Sequence, residues 1–68
     1  MTLSQFLCKP LADRTRLVLV HGNMLAVRLN KPCCIFLYRM RGFFAEVWYS
    51  KADSGVVKVR GFNGTSSL

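Results

Sequence analysis

The sequence predicts an α+β fold, with an N-terminal helix packed on a four-stranded antiparallel β-meander. Three observations predict it. Residues 33–40, 43–50 and 56–62 form successive stretches rich in β-branched and aromatic side chains and separated by turn-type residues. Within residues 24–30, the large apolar Leu25, Val27 and Leu29 alternate with Ala26, Arg28 and Asn30. The segment before them carries an apolar stripe at helical spacing, and a sheet with one apolar face needs such a cover.

The stretch from Cys33 to Ser50, CCIFLYRMRGFFAEVWYS, organises the rest. With Arg41 and Gly42 as the central turn residues, Met40 faces Phe43, and the pairs that follow are Arg39 with Phe44, Tyr38 with Ala45, Leu37 with Glu46, and Phe36 with Val47. Gly42 supplies the positive φ that such a turn requires. Side chains alternate across a strand, so Phe36, Tyr38, Met40, Phe43, Ala45, Val47 and Tyr49 share one face, which carries no charge and is the expected core side. Ile35, Leu37, Arg39, Phe44, Glu46 and Trp48 share the other.

The flanking strands extend this register. Lys51-Ala52-Asp53-Ser54-Gly55 reads as a turn. Setting Val57 opposite Tyr49 and Val59 opposite Val47 also sets Lys58 opposite Trp48 and Arg60 opposite Glu46. On the other side, Leu29 pairs with Cys34, Val27 with Phe36 and Leu25 with Tyr38. The connection at Lys31-Pro32 can be two or four residues long, and the missing N–H of Pro32 favours the longer loop. Strands are therefore expected at 24–30, 33–40, 43–50 and 56–62, with Leu25, Val27, Phe36, Tyr38, Phe43, Val47, Val57 and Val59 in the core.

In the N-terminal third, Thr2 or Ser4 can cap a short turn that sets Leu3, Phe6 and Leu7 on one side. Pro10 suits the start of a second helix, Asp13 its first turn and Gly22 its stop. Leu7, Leu11, Thr15 and Val18 fall on one stripe, with Leu17 and Val20 beside it, giving a helix over about 11–20. Leu17-Val18-Leu19-Val20 reads equally as a buried strand turned by His21-Gly22-Asn23. The need for a cover favours the helix. The polar tail, 63–68, is expected to fray.

A chain of 68 residues makes one domain, and one so small buries only about 60% of its unfolded surface. Hydrophobic residues make up 51% of it, which separates it from disordered chains, and no apolar run approaches the ~20 residues of a membrane span. No signal peptide is read at the start. Three cysteines, two of them adjacent and so on opposite faces of a strand, fit buried or half-buried reduced thiols in a cytoplasmic protein. With one histidine and no Cys-x-x-Cys, no metal site is expected.

These elements resemble a small, uncharacterised family of bacterial proteins of the Bacteroidetes type. The matching residues are Leu3, Phe6, His21-Gly22, Arg28, Leu37-Tyr38, Gly42-Phe43-Phe44, Glu46-Val47-Trp48-Tyr49 and Arg60-Gly61-Phe62, scattered over most of the chain. The resemblance implies the arrangement and supports the helix over the extra strand. Family members are acidic, whereas this chain carries ten Lys and Arg against three acids, net +7. No activity is carried over.

No catalytic constellation is read: Glu46 is expected to pair with Arg60, Asp53 sits in a turn, and no nucleophile signature surrounds Cys8, Cys33 or Cys34. The glycines form no phosphate-binding loop, and no cofactor or small-molecule substrate is expected. The informative feature is the second sheet face, where Arg28, Arg39, Phe44, Trp48, Lys58, Arg60 and Phe62 gather as the candidate binding residues. Left open by a helix on the opposite face, it is expected to serve a non-catalytic module that associates with itself or with a protein partner. The alternative is single-stranded nucleic acid, with bases stacked on the aromatics and phosphates held by the basic groups.

Overall fold

The computed structural model describes residues 1–64, so the tail expected to fray lies outside the described residues from Thr65 onward. Helices α1 (Leu3–Leu7) and α2 (Leu11–His21) precede strands β1 (Asn23–Asn30), β2 (Cys33–Met40), β3 (Phe43–Ser50) and β4 (Gly55–Phe62). The strands form one antiparallel sheet in the order β1-β2-β3-β4, the expected meander. Leu17 to Val20 are helical, so the alternative strand does not form. No helix among the described residues is long and apolar enough to cross a membrane.

The β2–β3 hairpin holds every expected pair, from Met40 with Phe43 to Phe36 with Val47, around an Arg41-Gly42 turn with Gly42 at φ 86°. Between β3 and β4, Glu46 faces Arg60, Val47 faces Val59 and Trp48 faces Lys58. Beyond Trp48 the register shifts, so Val56 rather than Val57 pairs with Tyr49, and Val57 is exposed instead of joining the core. A second shift lies between Met24 and Ala26, which leaves Met24 rather than Leu25 opposite Tyr38. The β1–β2 connection is the shorter one: Asn30 pairs with Cys33, and the Lys31–Pro32 peptide is cis. Lys31 and Pro32 both stand outside the ladder, so the missing N–H of Pro32 leaves no strand bond unmade.

At α1 the cap is Thr2. The Gln5 N–H donates to Thr2 Oγ1 at 3.2 Å and the Thr2 N–H donates to Gln5 Oε1 at 2.9 Å, the reciprocal pair of a capping box. Pro10 stands at the N-cap of α2, which ends where the Gly22 N–H donates to the Val18 carbonyl at 2.8 Å. Both helices lie on the face of Phe36 and Tyr38, chiefly over β4, with α2 also reaching β2. The core is Phe6, Val18, Met40, Phe43, Ala45, Val47 and Val59, with Leu3, Leu11, Leu17, Phe36, Tyr38 and Val56 packed against it. Because the cover centres on β4 and β2, Leu25 and Val27 are exposed on β1 rather than buried as expected. Leu7 and Val20 likewise point to solvent.

Phe6, fully buried, is seated on the smallest cross-strand pair of the sheet, Ala45 with Gly61. A Cβ on Gly61 would lie 2.7 Å from Leu3 Cδ1 and 3.1 Å from the Phe6 ring. Only glycine lets the helix approach this closely.

The β3–β4 turn carries the one positive-φ residue other than glycine among those described, Ser54 at φ 54°. Its N–H donates to the Lys51 carbonyl at 3.2 Å, and the Asp53 N–H donates to Ser50 Oγ at 3.4 Å. The left-handed region is strained for an L-residue, so Ser54→Gly is expected to raise stability by roughly 0.5–1 kcal/mol. The check is the urea midpoint, and a lower midpoint in the variant would contradict it.

Candidate functional site

Three rows of side chains cross the second sheet face. Arg28, Ile35, Trp48 and Lys58 form the first, Ala26, Leu37, Glu46 and Arg60 the second, and Arg39, Phe44 and Phe62 the third. All seven candidate residues thus share this face, which carries neither helix.

The face is nevertheless not open in the way expected. Ile35 is 1%, Leu37 8% and Glu46 5% exposed. Phe44, Trp48 and Phe62 are half-buried, while Arg28, Arg39, Lys58 and Arg60 remain exposed. The cause is the length of the surrounding side chains, which lie down over the sheet and bury their own stems and the residues beneath.

Glu46 is the hub of this layer. Its Oε2 accepts from Arg28 Nη1 at 2.9 Å, and its Oε1 accepts from Arg60 Nη1 at 3.2 Å and from Trp48 Nε1 at 3.4 Å. The Arg60 bond is the expected cross-strand pair. The Arg28 bond spans the intervening strand β2, running diagonally from the row of Ile35 to that of Leu37. The indole bond joins residues on alternate positions of one strand. A buried carboxylate is tolerable only when paired and hydrogen-bonded, and these three donors meet that need.

Around the hub, Lys58 Nζ stands 5.0 Å from the centroid of Trp48. The Phe44 and Phe62 rings stack with centroids 5.9 Å apart and planes 24° apart, and the Arg60 guanidinium carbon lies 5.9 Å from the Phe62 centroid. Each such cation–ring contact contributes about 0.5–1 kcal/mol at an exposed site. Arg39 sits at the end of the face, where it lines an open cleft with His21, Asn23, Arg41 and Phe43. The arrangement is a basic rim over ring surfaces, with four cations against one carboxylate.

Elsewhere the thiols are free and separate. Cys33 faces Ser50 and Cys34 faces Tyr49, both half-buried, whereas Cys8 is exposed rather than buried because it follows α1 on the outer surface. No three His, Cys, Asp or Glu side chains gather among the described residues. No protein-family model, curated protein or solved structure matches the chain.

Proposed function

We propose that this chain is a non-catalytic interaction module whose basic aromatic face takes the backbone and bases of a single-stranded nucleic acid. The observation that carries the reading is the charge layout. Glu46 is buried and already holds three donors, while the cations around it stay exposed. Such a rim attracts a polyanion. The same layout weighs against self-association through this face, because a two-fold contact would set four cations against four.

Phosphates would be met first by Arg39 and Lys58, which make no ion pair among the described residues, and then by Arg28 and Arg60 at the cost of their hold on Glu46. When Lys58 turns to a phosphate it uncovers Trp48, and the freed ring face can take a base. The three unpaired thiols suit a reducing compartment and, with the family resemblance, support the reading of a module of the bacterial cytoplasm.

The test is titration of a deoxythymidine oligomer, followed by Trp48 fluorescence over a range of salt. At about −0.7 per phosphate, the logarithmic salt slope should fall between about −1.4, for Arg39 and Lys58 alone, and about −2.8, for all four cations. Trp48→Ala, which removes the single Trp and is therefore followed by the anisotropy of a dye-labelled oligomer, should weaken binding by roughly 1–3 kcal/mol, and Lys58→Ala should lower the slope by about 0.7. A folded sample with no salt-sensitive affinity at low ionic strength would exclude the reading.

A further inference from the structure

The cationic surface does not stop at Arg39. Beyond it the sheet ends in the cleft of about 600 Å³ that Arg39 lines together with His21, Asn23 and Arg41, beside the buried Met40 and Phe43. Sites for small ligands span about 300–1,000 Å³, so the space suits a single nucleotide. Three elements bring the polar groups there. Asn23 and Arg39 are direct cross-strand partners, a relation that sets Cβ atoms about 4.5–5.5 Å apart. Arg41 follows in the β2–β3 turn, and His21 ends α2 just before Asn23.

The charge around this cleft is unanswered. His21, Arg39 and Arg41 are exposed and make no ion pair among the described residues. None of the chain's acids lines the cleft. Asp13 lies in the first turn of α2, Glu46 is held by Arg28 and Arg60, and Asp53 sits in the β3–β4 turn at the opposite end of the sheet. The negative pole of α2 also lies here, and at about half a charge it offsets only part of two guanidinium groups.

We propose that this cleft captures the terminal phosphate of the strand whose bases lie on the aromatic face. The inference rests on the nucleic-acid reading and adds to it an end and a direction. Two observations choose a terminal phosphate over an internal one. The cleft begins where the face runs out, at the row of Arg39, Phe44 and Phe62, so a strand following the face delivers its last nucleotide there. A phosphomonoester also carries about −1.5 to −2 at neutral pH, against a single charge on an internal phosphodiester. Arg39 and Arg41 can meet that extra charge with two forks of donors, and Asn23 and His21 can donate to the remaining oxygens.

The test compares deoxythymidine oligomers with a phosphate at the 5′ end, at the 3′ end or at neither, by competition against a dye-labelled oligomer. One phosphorylated form should bind about tenfold tighter than the bare oligomer, the worth of one charge-assisted contact. The preferred end gives the direction of the strand on the face. Arg41→Gln should bring that ratio down to about twofold or less, whereas Lys51→Gln, at the opposite end of the sheet, removes the same charge and should leave it near tenfold. In amide NMR spectra, adding the end phosphate should move Asn23, Arg39 and Arg41 and spare Lys58. A ratio that is the same in Arg41→Gln as in the parent would mean general attraction to the net charge and would overturn the inference. Equal affinity for phosphorylated and bare oligomers overturns it too, and leaves the nucleic-acid reading standing. Absence of affinity for every oligomer removes both.

Discussion

Phe6→Ala is expected to destabilise the domain by about 3–5 kcal/mol, the usual cost of emptying a fully buried aromatic site. The ring is completely buried, lies against Phe43 with centroids 5.1 Å apart, and fills the seat above Gly61. Little can collapse into the space, because the seat is built from the backbone of a sheet. At the usual 0.05–0.15 kcal/mol per residue, a domain of this size has only about 3–10 kcal/mol in total. At the lower end of that range the variant should be largely unfolded by circular dichroism at 25 °C, and above it the urea midpoint should fall well below that of the parent. A urea midpoint corresponding to a loss below about 1 kcal/mol would show that α1 contributes little and that this account of the core is wrong.

Glu46→Gln should cost roughly 1–2 kcal/mol, less than the 3–5 kcal/mol typical of breaking a fully buried pair. The discount follows from geometry: the Glu46 side chain is 6% exposed, but those of Arg28 and Arg60 are 55% and 49% exposed and can turn to water. The amide keeps one acceptor for the Trp48 indole and loses the charge that holds both guanidinium groups down. Indole fluorescence should shift to the red as the layer loosens. Where the domain binds oligonucleotides, the variant should bind them more tightly and with a steeper salt slope, since two cations are released. Unchanged stability and unchanged emission together would mean that the carboxylate does not organise the face.

The parts of the fold readable in advance were those where only one residue could satisfy a position. Gly42 was the sole candidate for the positive φ of the hairpin turn, and Lys58 and Arg60 fell opposite Trp48 and Glu46 in one register only. Both register shifts occur where two neighbours are equally apolar. Val56 and Val57, and likewise Met24 and Leu25, offer no hydrophobic difference to say which one enters the ladder. The reach of the helical cover was also illegible. An apolar pattern marks a strand as having a greasy side, and it does not say whether anything lies on that side, so Leu25 and Val27 read as core. On the basic face, membership was legible from alternation alone. Its closure over Ile35 and Leu37 depends on the directions taken by long side chains, which no periodicity encodes.

The seat of Phe6 on Gly61 ties the first element of the chain to its last strand. A helix of five residues is too short to persist by itself, so α1 is held by a surface that does not exist until β4 has paired with β3. In a chain that grows from its N terminus, α1 is thus made well before the surface that orders it. Leu3 and Phe6 wait in water while the meander assembles behind them, and the contact that finally hides them closes a loop spanning nearly the whole chain.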